Sequence, residues 1–177
     1  MTTTSDPKVE ALSYPIGRFA VPKTISAADR ARYIEEIAAA PAAMRAAVKG
    51  MSEAKLNTPY RPGGWTIRQV VHHVPDSHLN AYIRMKLALT EDEPRIVPYE
   101  EDLWAQLPDS RDVPVETSLV LLESLQARWV ALMRSMTDAQ WQRAYMHPEQ
   151  GRYPLDRLAA LYAWHGKHHV AHITRAT

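Results

Sequence analysis

The chain contains no cysteine among its 177 residues. Disulfide bonds and thiolate ligands are therefore excluded, and any metal site must use nitrogen or oxygen donors. Phenylalanine occurs once, and stretches of alternating β-branched residues, which are typical of strands, are scarce. The alanine, leucine, glutamate, arginine and methionine content instead favours helices. We therefore expect an all-α fold in which histidine is the first candidate to bind a metal.

The chain also lacks an excess of charge of either sign, and it lacks long hydrophobic runs. The 21 lysines and arginines balance 20 aspartates and glutamates, which leaves a formal charge of +1. The basic residues are scattered, so no nucleic-acid partner is predicted. No uncharged apolar run approaches the roughly 18 residues that a membrane span requires, and residues 1–11 lack the basic start and apolar segment of a signal peptide. We therefore predict a cytoplasmic protein without a membrane partner.

The length of the chain fits one domain that is large enough to bury a core. We predict a flexible tail over residues 1–12 and a single helical domain over residues 13–177. Helix caps and apolar periodicity predict four long helices. These helices span about residues 27–49, 66–90, 118–136 and 155–175. Four long helices in one domain indicate a four-helix bundle.

Capping residues and prolines set the expected ends and bends of the first two helices. Ser26 is predicted to cap the first helix, and Thr66 with Gln69 forms a capping-box signature at the start of the second. Pro41 and Pro75 lie inside these helices, where a proline removes one hydrogen bond and predicts a kink.

The connections are expected to hold short extra helices. The longest connection, residues 91–114, joins the second and third helices and contains four prolines. Long connections of this kind are often covers over functional sites, and we predict a short helix near residues 102–106 within it. Residues 57–64 and 147–154 are predicted loops, and residues 137–145 a short helical piece.

The last predicted helix carries four histidines on one face. At about 100° per residue, they fall within an arc of about 100°, the width of a buried helix face. The same face continues backward through Leu158, Leu161 and Tyr162. The four residues are His165, His168, His169 and His172. Imidazoles gathered toward an interior suggest a metal.

Two histidines four residues apart on a helix can bind one ion through their ring nitrogens. Both His165 with His169 and His168 with His172 have this spacing, so the spacing alone leaves two registers open. Three neutral imidazoles would leave the dication an open coordination position, which is typical of catalytic sites. Such an ion can generate hydroxide from bound water or act as a Lewis acid on a carbonyl or a thiol.

The second predicted helix holds the other group of histidines, His72, His73 and His78. Adjacent His72 and His73 point about 100° apart. His73 borders the apolar stripe of this helix, whereas His72 points away from it, so His73 is the better candidate for a third ligand. A buried patch of structural or pH-sensing histidines without a metal is the alternative.

Several segments together resemble the YfiT branch of the DinB superfamily. The resemblance covers nearly the whole chain and follows the same order along it. The segments are SYPIG at 13–17, TPYRPGGWTIRQVVHH at 58–73, DSHLN at 76–80, RWxALxR at 128–134 and WHxxHHxAHI at 164–173.

The resemblance implies a four-helix bundle that works as a metal-dependent hydrolase, with an open three-histidine metal site, as a cytoplasmic homodimer. The ligands that it implies are His73, His165 and His169, and it leaves His168 and His172 as supporting groups. One departure is Pro75, two residues after His73, where the family usually has an ordinary helix former. A kink at this proline would re-aim His73 or free a carbonyl near the metal.

The leading functional prediction is a hydrolase in which a metal-bound water attacks a small-molecule substrate. One divalent metal per subunit is expected, zinc first and nickel second. One alternative is a thiol S-transferase similar to the bacillithiol transferases, which would join a low-molecular-weight thiol to an electrophile. The other is a metal-binding stress-response module without enzymatic activity. No general base stands out, because Asp76, Glu100, Glu101 and Asp102 are candidates by position only and are typical of solvated surface acids.

Overall fold

Four long helices form the frame of the molecule, which the computed structural model describes over residues 7–176. The predicted all-α four-helix bundle is confirmed, and its long helices are α2, α4, α7 and α9. The elements are α1 (Pro7–Ser13), α2 (Ala27–Val48), α3 (Glu53–Leu56), α4 (Ile67–Thr90), α5 (Glu101–Trp104), α6 (Pro108–Asp112), α7 (Val115–Arg134), α8 (Asp138–Trp141), β1 (Ala144–His147), β2 (Gly151–Pro154) and α9 (Leu155–Thr174). Within the described residues, no helix combines the length and the apolar character that crossing a membrane requires.

The predicted caps define the starts of α2 and α4. The Ser26 side chain accepts a hydrogen bond from the Asp29 amide, and Thr66 with Gln69 forms the expected reciprocal capping box. Both helices continue through their internal prolines, Pro41 and Pro75. Each proline therefore removes one amide donor without ending its helix.

Ion pairs give the relative direction of α2 and α7. Arg45, near the end of α2, pairs with Glu116 at the start of α7, whereas Glu35, in the first half of α2, pairs with Arg134 at the end of α7. The two helices are therefore antiparallel.

The neighbouring helices α4 and α7 run in the same direction. His72, early in α4, bonds to Ser118 near the start of α7, and Met85, late in α4, accepts a hydrogen bond from Trp129 farther along α7. The helix α9 packs against both α2 and α4. The bundle is therefore a ring in the order α2, α7, α4, α9.

A glycine allows α9 to approach α2 closely beside the histidine face. A Cβ atom on Gly166 would lie 3.1 Å from the Ala40 Cβ of α2, which is tighter than an ordinary carbon contact. Gly166 therefore lets the backbone that carries His165 lie directly against α2.

A small antiparallel hairpin lies between α8 and α9, where a helical piece and a loop were predicted. In β1 and β2, Tyr145 pairs with Tyr153, and their rings stack with centroids 5.3 Å apart. Gly151, with a φ of 67°, supplies the left-handed conformation that the turn requires. The loop prediction was wrong over Gly151–Pro154 because a four-residue strand is too short to show a clear alternating pattern.

The segments around the bundle also differ in detail from the prediction. The helix α1 lies at the end of the predicted tail, residues 1–6 lie outside the described residues, and the flexibility of the tail stays a prediction. The long connection between α4 and α7 holds two short helices, α5 and α6, where one was expected.

Two apolar clusters form the core, and the histidines lie where they meet. His78 packs edge-on against Trp129 and Tyr162 of one cluster. His172 stacks on Tyr60, which packs against the other cluster. The polar groups at this boundary need partners inside the protein, since little water reaches them.

Candidate metal centre

Three histidines from two helices meet at the boundary of the two clusters. His73 comes from α4, and His165 and His169 lie one turn apart on α9. Their potential ligand atoms all lie within 4.8 Å of one another, and the Nε2 atoms of His165 and His169 are 3.2 Å apart. Two nitrogens bound to one zinc at about 2.05 Å in tetrahedral geometry lie about 3.3 Å apart. The spacing therefore fits a shared ion.

Two further histidines hold the rings of the α9 pair by their other nitrogens. His165 Nδ1 lies 3.2 Å from His78 Nε2, and His169 Nδ1 lies 3.3 Å from His172 Nδ1. The outer nitrogen of His172 is 3.0 Å from the Ser13 carbonyl oxygen. Both rings of the pair therefore direct Nε2 toward the cluster centre.

His73 is held by packing against an indole. The ring centroids of His73 and Trp65 lie 4.7 Å apart. The indole nitrogen of Trp65 donates a hydrogen bond of 2.9 Å to Asp102 in α5. The long connection between α4 and α7 thereby reaches the third histidine of the cluster.

The three imidazoles are neutral at pH 7. Burial, together with the smaller effect of the nearby His172, lowers the pKa of His73 to about 4. Burial also lowers the pKa values of His165 and His169 well below 6.5, and neighbouring histidines add to this effect. A neutral imidazole with a free lone pair is the form that binds a metal. Because all three donors are uncharged nitrogens, the set suits zinc or nickel better than magnesium or calcium.

A cavity of about 650 Å³ opens beside the cluster. Its wall includes all three histidines together with aromatic and basic side chains, among them Tyr162, Trp164, Arg61 and Arg84. Glu101 and Asp102 of the long connection also line it. The size falls in the range of about 300–1,000 Å³ that is typical of small-molecule sites.

Two hydroxyl groups lie next to the α9 pair. Ser77 Oγ is 3.5 Å from His165 Nε2 and 3.2 Å from the Tyr162 hydroxyl. The Tyr162 hydroxyl donates to the Ser77 carbonyl at 3.1 Å. Burial raises the pKa of Tyr162 to about 12, so this hydroxyl stays protonated and remains a hydrogen-bond donor.

The remaining histidines of the two helices have different environments. His72 points away from the cluster, as predicted, and bonds to Ser118 and to the Val113 carbonyl. His168 stacks on Trp164 at 4.2 Å, and its Nδ1 atom has no partner among the described residues.

The sequence assigned no role to His78, yet this side chain is fully buried and contacts His165. A signal was present, because His78 lies on the apolar stripe of Val74, Ala81 and Met85 in α4. A histidine at such a position replaces a core residue and requires buried hydrogen-bond partners.

The four candidate acids divide into two groups. Glu101 and Asp102 line the cavity, but both are exposed, as is Glu100. Asp76 is half-buried, and its burial, with repulsion from Asp109, raises its pKa to about 6. Among the described residues, no carboxylate hydrogen-bonds to any of the three clustered histidines.

Comparison with known proteins gives consistent results. A family model described as the DinB superfamily matches residues 36–173. Proteins of Bacillus mycoides and Bacillus cereus, each named "Putative metal-dependent hydrolase", are 52% identical over 163 residues, which cover 92% of this chain and 94% of each relative. The solved structure of YfiT from Bacillus subtilis, described as a "probable metal-dependent hydrolase with an unusual four-helix bundle topology", is 46% identical. It matches with a TM-score of 0.91 over 94% of this chain and 95% of YfiT.

Proposed function

Because the chain belongs to the DinB superfamily, we propose that it is a metal-dependent hydrolase in which His73, His165 and His169 hold one divalent ion. The observation that carries this proposal is the convergence of three neutral ring nitrogens within 4.8 Å at the wall of a cavity. Zinc is the first candidate for the ion and nickel the second. When bound, such an ion supplies activated water at neutral pH by lowering its pKa.

The side chains around the ion would orient the reacting groups. His78 and His172 hold the rings of His165 and His169 by their Nδ1 atoms, which fixes the direction in which both Nε2 atoms point. The Ser77 hydroxyl lies 3.5 Å from the His165 Nε2 atom and can donate a hydrogen bond to an oxygen atom of a substrate. The Tyr162 hydroxyl donates its proton to the Ser77 carbonyl and thereby holds Ser77 in place.

The cavity favours an enzyme over a module that only stores a metal. A stored ion needs a closed site, whereas a catalytic one needs space next to an open coordination position. The aromatic and guanidinium groups of the wall suit a small molecule with both apolar and polar parts. The homodimer and the cytoplasmic location stay predictions.

A thiol S-transferase is the second candidate, and one observation favours it. Among the described residues, the three clustered histidines bond only to Ser77 and to other histidines. Hydrolysis by an activated water commonly uses a positioned carboxylate as general base. A bound thiol, in contrast, becomes the reactive thiolate by losing its proton to solvent.

Enzymatic assays of the zinc-loaded protein test the proposal. We expect turnover of ester or amide substrates that depends on zinc, is lost in His165→Ala and is kept in Ser118→Ala, a variant of the bundle outside the cluster. In parallel, the protein is incubated with low-molecular-weight thiols and an electrophilic reporter. Conjugate formation without hydrolysis would overturn the hydrolase proposal in favour of the transferase. A wild-type protein that binds neither zinc nor nickel would overturn both proposals.

A further inference from the structure

A line of hydrogen bonds joins four imidazoles and crosses the core from α7 to the end of α1. Neighbouring ring nitrogens in this line lie 3.2 or 3.3 Å apart, and the last ring is 3.0 Å from a backbone carbonyl. The groups in order are the Gln126 amide, His78, His165, His169, His172 and the Ser13 carbonyl. Each neutral imidazole has one N–H donor and one acceptor nitrogen, so the two ends decide where every proton lies.

At the Ser13 end of the line, the donor and the acceptor of each hydrogen bond are fixed. A backbone carbonyl can only accept, so His172 carries its proton on Nε2, which faces Ser13. The Nδ1 atom of His172 then accepts the Nδ1 proton of His169. This leaves the lone pair of His169 on Nε2, toward the cluster centre, as a metal ligand requires.

At the Gln126 end of the line, donor and acceptor are not fixed, because a side-chain amide has a donor on one side and an acceptor on the other. In the structure, Nε2 of Gln126 faces His78 Nδ1, and the buried Oε1 has no partner among the described residues. With a donor facing His78, the His78 proton lies on Nε2 and points at His165 Nδ1. The proton of His165 is then forced onto Nε2, which blocks the lone pair that a metal needs.

We propose that Gln126 is a positioning residue that presents its Oε1 atom to His78 when the metal binds. The amide turns by about 180°, which exchanges two groups of nearly equal shape. His78 then donates from Nδ1 to Gln126 and accepts at Nε2 from the Nδ1 proton of His165. The Nε2 lone pair of His165 becomes free to bind. This inference rests on the proposed metal-binding role of the three clustered histidines.

The proton count is unchanged by this rearrangement. His78 and His165 each keep one proton, which moves from Nε2 to Nδ1, and Gln126 keeps both amide hydrogens. No acid, base or oxidant is consumed. Because His78 is fully buried, its outer nitrogen depends on a protein partner, and among the described residues this nitrogen hydrogen-bonds only to Gln126.

Nitrogen-15 NMR of the imidazole rings tests the inference directly, with zinc alone as the probe. We expect His78 and His165 to carry the proton on Nε2 in the metal-free protein and on Nδ1 in the zinc-loaded protein. His172 is expected to carry it on Nε2 in both states. A His78 proton that stays on Nε2 in the zinc-loaded protein would overturn the inference.

Zinc affinity in variants of Gln126 gives a second readout. Gln126→Met has no carbonyl oxygen and is expected to lose about 10- to 100-fold in affinity, as is typical for groups that orient a metal ligand. Gln126→Glu presents only acceptors and is expected to bind zinc at least as tightly as the wild type. Wild-type affinity in Gln126→Met would contradict the inference, as would a loss in Gln126→Glu equal to that in Gln126→Met.

Ser118→Ala is the matched control, because it also removes a buried hydrogen bond from α7 to an imidazole, that of His72. It should leave zinc affinity unchanged, so an equal loss in this variant would assign the effect to general destabilisation and overturn the inference. A wild-type protein that binds no zinc would overturn the proposed zinc site together with this inference. Zinc binding with unchanged tautomers would overturn this inference alone.

Discussion

His72 and His73 are neighbours in the chain, yet α4 turns them into two different environments. His72 Nδ1 lies 2.7 Å from the Ser118 hydroxyl, and its Nε2 lies 3.0 Å from the Val113 carbonyl. His73 instead faces other imidazoles, with ring centroids 4.9 Å from His169 and 5.5 Å from His165. Both side chains are buried, so burial does not separate them.

The difference lies in the count of donors and acceptors. A neutral imidazole needs one acceptor for its N–H and one donor for its bare nitrogen. The carbonyl and the hydroxyl meet both needs at His72. In the cluster, Nε2 of His165 and Nε2 of His169 face each other, and at most one of them can carry a proton for the other. The cation that we propose would bind the lone pairs of the cluster, whereas the polar groups around His72 are already paired.

Replacing one histidine of each environment by alanine should give the largest difference in zinc affinity. We expect His169→Ala to lower zinc affinity by at least about 100-fold, since loss of a ligand exceeds the effect of losing a group that only orients one. His72→Ala should keep stoichiometric zinc. It should lower the free energy of unfolding by about 1–3 kcal/mol, because Ser118 and the Val113 carbonyl lose a buried partner.

Elemental analysis, competition with a chromophoric chelator and urea unfolding measure these effects. Stoichiometric zinc in His169→Ala would remove the basis for separating the two environments. Loss of zinc from His72→Ala in a folded protein would have the same consequence.

Acid should destabilise the metal-free protein through His168, which lies beside the cluster. Burial lowers the pKa of His168 to about 4, with a further contribution from His172. Above pH 6.5 this imidazole is neutral in both the folded and the unfolded chain and has no effect on stability. As the pH falls toward 4, the unfolded chain takes up a proton that the folded chain does not, so the free energy of unfolding decreases. Between pH 7 and pH 5, one such group contributes a loss of about 2 kcal/mol.

The variant His168→Phe isolates this contribution, because phenylalanine can stack on Trp164 and cannot be protonated. Urea unfolding at pH 7 and pH 5 should show a smaller decrease for this variant than for the wild type. At His72, the Val113 carbonyl stabilises the protonated ring and opposes part of the effect of burial on its pKa. An equal decrease in His168→Phe and the wild type would show that His168 is already accessible to protons in the fold.

Local patterns were enough to predict the frame of the molecule. The caps at Ser26 and Thr66 and the apolar periodicity depend on neighbours within one or two turns, and the four helices follow from them. Helical spacing alone left two histidine registers open. The family resemblance implied the set His73, His165 and His169, and the structure brings these three side chains together.

Features that depend on contacts between distant segments were not predicted. The helix α1 is held by its Ser13 carbonyl, 159 residues from His172, and the hairpin depends on the pairing of Tyr145 with Tyr153. Gln126 lies on the inner face of α7 beside Trp129, where a polar residue indicates a buried partner. The sequence does not say which of the surrounding helices supplies that partner.

The smallest expected effect concerns the support of His73, which Trp65 holds by packing instead of a hydrogen bond. Asp102→Ala removes the acceptor for the Trp65 indole. Because one hydrogen bond contributes about 0.5–1.5 kcal/mol, zinc affinity should fall by about two- to tenfold. Asp102→Asn keeps an acceptor oxygen and should bind zinc like the wild type in the same chelator competition. If Asp102→Ala binds zinc like Asp102→Asn, α4 alone orients His73, and the cluster does not depend on the long connection.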